Sequence, residues 1–135
     1  MKKSTRAWLE LADRDLKAAI KLAEDEHLAN LALFHCQQCI EKCLKAILEE
    51  HETKPPQIHS IHRLNEIIQE KIGVSLHLSN EEMDHIDNIY IDTRYPGSLG
   101  LLPSGFPTQK QALEVATIAQ KAFNTTLKLL KKKQG

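Results

Sequence analysis

Aromatic side chains are almost missing from this chain: three Phe, two Tyr and one Trp make up 4 % of its 135 residues. A core without aromatic plates has to be built from Leu, Ile and Ala. Gly and Pro are equally sparse, with five of each. Most of them sit in two short regions. So few turn residues argue against many strands and hairpins and favour long helices. No charge sign prevails either. Lys plus Arg and Asp plus Glu stand at 18 each, so the net charge is zero with His neutral. No global field then draws in a membrane surface or nucleic acid, and contact with nucleic acid needs a local patch. No apolar run reaches the roughly 18 residues needed to span a bilayer. The basic start, Met1-Lys2-Lys3-Ser4-Thr5-Arg6, is followed by no apolar signal region, so a cytoplasmic location is expected. Cysteine is confined to Cys36, Cys39 and Cys43. Three thiols so close on one helix cannot readily bridge each other, and an odd count argues against a disulfide framework.

What is present is helical periodicity. The length suits one domain, 1–135, with a core spanning about 4–130. Five helices are expected. The first runs from about Ser4 to Glu26, with Leu9, Ala12, Leu16, Ala19 and Ala23 in one stripe. Trp8, Leu11, Ala18 and Leu22 widen that stripe, and Asp15 falls inside it. The second runs from about Leu28 to Glu50 and is closed off by the loop containing Pro55-Pro56. The third is short, about Ser60 to Ile72, ending at Gly73. The fourth opens at Ser79, with Glu82 at capping-box spacing, and Pro96 limits its far end. Thr108 opens the fifth, with Gln111 again at capping-box spacing. Between helices four and five lies one long loop, 95–107. Loops of that length are usually functional or disordered. Leu99, Leu101, Leu102 and Phe106 make this one too apolar for a freely solvated linker, so it should pack on the bundle or on a partner.

The second helix is unusual. Its apolar positions, among them Cys36, Cys39, Ile40, Cys43, Leu44, Ala46 and Ile47, sweep an arc of about 200°. An arc that wide suggests contact with both its own bundle and a partner. Gln37 lies inside the arc and must find hydrogen-bond partners, either in the backbone or in a polar side chain such as Asp15 on the first helix. The other stripe carries His35, Gln38, Glu41, Lys42 and Lys45. It could contact a ligand, with Glu41 orienting a lysine or pairing across a dimer. It could equally be a solvated face supported by Glu41–Lys45 at i,i+4.

Four segments in order resemble the HEPN domain, the helical domain often paired with minimal nucleotidyltransferases. They are Trp8 with Ala12-Asp13-Arg14-Asp15-Leu16-Lys17-Ala18-Ala19, then Ala32 through Ala46, then His59-Ser60-Ile61-His62-Arg63-Leu64, then Tyr90-Ile91-Asp92-Thr93-Arg94-Tyr95-Pro96-Gly97. The resemblance implies an all-α, HEPN-like fold: an up-and-down four-helix bundle with an additional short helix, commonly a homodimer. It also implies a nucleotide-linked role beside a separately encoded nucleotidyltransferase partner. Other members of the family are metal-independent endoribonucleases, some of them toxins. That branch carries Arg, four to six residues, then His. Here the arginines are Arg6, Arg14, Arg63 and Arg94, and none has a histidine at that spacing. The expectation is therefore a non-catalytic protein that binds nucleotide. An endoribonuclease toxin with a non-standard cleft and a structural dimer for a protein partner remain as alternatives.

The candidate contacts are Arg94 and Tyr95 at the end of helix four, Gln38, Glu41, Lys42 and Lys45 on helix two, and His59 before helix three. Arg94 can offer a planar fork to phosphate. Alternatively it pairs with Asp87, two turns earlier, and fixes the bend into the loop. His59 can cap helix three, touch a ligand, or make a structural hydrogen bond at the loop–helix junction. Gln37 and Asp15 are expected in structural roles. No cofactor or metal is expected. Tetrahedral zinc usually needs two converging elements, and buried thiols serve well as small core residues.

Overall fold

The computed structural model describes residues 1–94 and 107–134, with 90–94 and 132–134 as backbone only. Five α-helices follow one another: α1 Lys3–Ala23, α2 Ala29–Glu50, α3 Ile61–Lys71, α4 Asn80–Arg94 and α5 Gln109–Gln134. The first helix stops three residues short of the sequence expectation. A separate 3-10 turn, Glu26–Leu28, leads into α2, and the Asp25 carboxylate accepts from His27 N–H at 2.8 Å to start it. No helix among the described residues is long and apolar enough to cross a membrane.

Local signals account for the ends. Ser79 and Glu82 exchange both bonds of a capping box, at 2.9 and 3.0 Å. Thr108 and Gln111 do the same, at 2.8 and 3.1 Å. Gly73 ends α3 at φ +83°, where a Cβ would be strained, and its N–H reaches Ile68 O at 3.0 Å.

Two further ends are closed by side chains from distant helices. Glu50, near the end of α2, accepts from Lys2 N–H at 2.9 Å and from Thr5 Oγ1 at 3.0 Å. It thereby places a carboxylate at the positive end of α1. Gln109 Nε2 donates to the carbonyls of Ala23 and Glu24, both at 3.1 Å, and so holds the last turn of α1.

α2 is the axis of the bundle. It packs against each of the other four helices, most extensively against α1 and α5. The wide apolar arc is thus filled inside one chain, so no second subunit is needed to cover it. Leu33, Ile40, Leu44, Ile47 and Leu48 are among its fully buried side chains. Cys36, Cys39 and Cys43 are buried beside them and form no disulfide. Leu11, expected to widen the α1 stripe, instead stands exposed. The apolar loop of 95–107 lies outside the described residues except for Pro107, which is buried.

Candidate functional site

The polar stripe of α2 forms a seam of ion pairs between α1, α2 and the segment entering α3. At its lower level lies Glu41, only 4 % exposed. Its carboxylate accepts from His59 Nδ1 at 3.1 Å, from Gln37 Nε2 at 3.3 Å and from Lys45 Nζ at 3.3 Å. Lys45 is itself buried, at 7 % exposure, and its ammonium lies 5.7 Å from the centre of the Trp8 ring. That ring face adds a cation–π contact where water is excluded. Glu41–Lys45 therefore has the i,i+4 geometry read from the sequence, but it is an interior pair and not part of a solvated face.

Gln37 is fully buried and satisfied, though not by Asp15. Its amide donates to Glu41 and to the carbonyl of His59 at 3.3 Å, and its oxygen accepts from Gln38 at 2.6 Å. Asp15 belongs to another group. It accepts from His35 Nδ1 at 2.8 Å and from Lys42 Nζ at 2.5 Å. Antiparallel packing of α1 on α2 explains the choice: Asp15 meets the face of α2 that carries His35 and Lys42, two turns apart, whereas Trp8 meets Lys45.

His59 does not cap α3. Ser60 does, accepting from Arg63 N–H at 3.1 Å. A second acceptor comes from α4, where Asp87 bonds Ser60 Oγ at 2.8 Å, Ile61 N–H at 2.6 Å and His62 N–H at 3.3 Å. A carboxylate against a helix N-terminus is favoured by the helix dipole and by the unpaired N–H groups there. Asp87 thus serves the start of α3, and the pairing with Arg94 that spacing suggested falls outside the described residues. The Arg94 side chain and all of Tyr95 lie outside the described residues. Sequence inspection missed His35, Glu50 and Asp87 in these roles. For His35 a signal existed, since it shares a face with Lys42, seven residues on.

Cys36 and Cys39 are held as neutral core thiols. Burial pushes Cys36 up to about 12, and Cys39 is raised further by its hydrogen bond with Cys43 and by burial. Neither can act as a thiolate nucleophile near neutral pH. Among the described residues no group of three or more His, Cys, Asp or Glu could hold a metal ion.

One titratable group outside the seam is tuned. The Asp84 hydrogen bond at 2.7 Å raises His62 above its ordinary 6.5, with a smaller push from Glu66 and Asp87 and a partial offset from burial. Because the folded value is raised, this contribution to stability is complete below the unfolded value and is lost as pH climbs through the folded one. Asp84→Asn should bring His62 back toward 6.5, read as the midpoint of its ring-proton shift in an NMR titration. An unmoved midpoint would mean that Asp84 is not the cause.

A model of the HEPN domain matches residues 5–130 of the chain. Among solved structures, TT1696 from Thermus thermophilus is 25 % identical with a TM-score of 0.71, covering 94 % of this chain and 98 % of that one. ST0689, described as an archaeal HEPN homologue, is 25 % identical with a TM-score of 0.67, covering 96 % and 98 % respectively. No curated protein matches the chain.

Proposed function

This chain belongs to the HEPN domain family, and on that premise we propose that it is a non-catalytic accessory protein. In this reading it contacts nucleotide and works beside a separately encoded nucleotidyltransferase. The observation that carries the nucleotide contact is a row of half-buried groups on the outer edge of α2: His35, Gln38 and Lys42. Asp15 holds His35 by Nδ1, so its Nε2 is the nitrogen left for a ligand. The Lys42 ammonium has donors beyond the one given to Asp15. Gln38 retains the acceptor side of its amide, suited to a base edge. Glu41 and Lys45 lie beneath this row and set its position without being free to bind. Their mutual neutralisation leaves the row as the contact surface.

Arg94 is the proposed phosphate partner on sequence grounds, for its planar fork. The absence of Arg–x(4–6)–His supports the non-catalytic part. Calorimetric titration with ATP and UTP should give saturable binding, weakened about fivefold or more by Gln38→Ala or Arg94→Ala. Absence of saturable binding in the parent protein would remove the nucleotide from this reading.

A ribonuclease reading has one observation behind it, the carboxylate-held His35 with a free Nε2. A carboxylate that fixes the tautomer is a recurring feature of general-base histidines. The same preparation should leave single-stranded RNA intact. RNA cleavage that disappears in His35→Ala would transfer the assignment to that reading.

A further inference from the structure

A second surface uses none of the seam. Between the far half of α1 and the middle of α5 runs an open groove of about 660 Å³. Ile20, Ala23, Leu113 and Ala116 supply its apolar part. Ile20 and Leu113 are 43 % and 50 % exposed. Leu11 and Leu31 are exposed to a similar degree, but Ile20 and Leu113 share one groove and so form a patch. Small residues on both helices, Ala23 and Ala116, let the floor lie deep.

Most neutral polar groups along the groove are already occupied with local bonds. Thr117 Oγ1 donates to Leu113 O at 3.0 Å, and Gln120 Nε2 donates to Asn124 Oδ1 at 3.1 Å. Thr125 has no such bond, and Lys121 and Lys128 line the groove and form no ion pair among the described residues. Among the described residues no carboxylate lines it. The surface is thus an apolar trough edged by positive charge alone, on a chain whose total charge is zero.

We propose that this groove is the docking site for an acidic amphipathic helix of a partner protein. From Leu113 to Lys128 the lining follows about four turns of α5, or about 22 Å, the length of a helix of roughly 15 residues. Apolar anchors at i, i+4 and i+7 would enter beside Ile20 and Leu113, and flanking carboxylates would meet Lys121 and Lys128. Charge complementarity selects this occupant over two others. A second copy of the same face, related by a two-fold axis, would bring lysines against lysines. A nucleic acid would find two cations beside an apolar floor that offers its phosphates nothing.

The probe is a fluorescein-labelled 15-residue peptide with Leu at the anchor positions and Glu on the flanks. A control peptide carries Lys at each Glu position. Fluorescence anisotropy should show saturable binding of the acidic peptide, at a midpoint about tenfold or more below that of the control. Ile20→Ser with Leu113→Ser should abolish it. Both positions are exposed, and circular dichroism verifies that the helices persist. Lys121→Glu with Lys128→Glu should invert the preference between the two peptides. Absence of saturable binding, equal affinity for both peptides, or binding unchanged by the serine pair would overturn the proposal. So would self-association by light scattering that the serine pair removes, since a second copy would then own the groove.

Discussion

Glu41→Ala should destabilise the protein by about 3–5 kcal/mol, the range for removing one partner of a buried ion pair. The reason lies in what remains. Lys45 would be left at 7 % exposure beside the Trp8 ring without its carboxylate partner. Gln37, fully buried, and His59 Nδ1 would also lose an acceptor. Native domains are stable by only about 5–15 kcal/mol, so such a loss is a large share of the total. For a chain of this size it corresponds to a fall in Tm of roughly 10–20 °C. Urea denaturation and calorimetry measure it. The diagnostic variant is the double change Glu41→Leu with Lys45→Met, which removes both charges and should recover most of the loss, because a well-packed apolar pair avoids desolvation of two ions. If Glu41→Ala cost under about 1 kcal/mol, the range of a surface pair, Glu41–Lys45 would be a solvated pair and not an interior one.

Asp87→Ala should cost about 2–3 kcal/mol, more than a typical helix cap. One carboxylate here serves Ser60 Oγ and two backbone N–H groups at the start of α3. Losing it leaves half-buried donors at the positive end of a helix that has only 11 residues to hold it. The damage should be local. Hydrogen exchange should accelerate in 61–71, with α1 and the centre of α2 protected as before. Asp87→Asn keeps one acceptor oxygen and loses the charge, so it should fall between parent and alanine variant. Uniform loss of protection across all helices would show that α3 does not open on its own.

The two variants mark the boundary between what could be read from the sequence and what could not. The helices were legible because their cause is local. Stripes at 3-4 spacing, the Ser79–Glu82 and Thr108–Gln111 boxes and the stop at Gly73 all involve residues within one turn or one face. The family was legible for a related reason, since four short segments in a fixed order carry it. The cysteines were legible as packing residues because each falls in the apolar arc of α2, where all three are buried. The end of α1 was misjudged by three residues. There the 3-10 turn rests on Asp25, and Gln109, 86 positions from Ala23, supplies the closing bonds.

The polar residues were only half legible. Gln37 and Asp15 were recognisable as interior groups because each falls within an apolar face. Their partners were not recognisable. Gln37 turns to Glu41 and the His59 carbonyl, whereas Asp15 turns to His35 and Lys42. Lys42 and Lys45 look equivalent in the sequence, three residues apart on one stripe. In the bundle one stands half-buried at the edge against Asp15 and the other lies beneath Trp8, paired with Glu41.

By itself, then, the sequence determined five helices, an aliphatic core, a central α2 and membership of the HEPN family. Each depends on residue type and spacing along one helix, which survive whatever the helices pack against. Only the tertiary structure decided which charges meet, which lysine stays at the edge of the seam, that Asp87 serves α3, and that Ile20 and Leu113 share a groove. Those outcomes depend on the relative height and rotation of neighbouring helices. A displacement of one turn, about 5.4 Å, would exchange every partner without changing a single stripe.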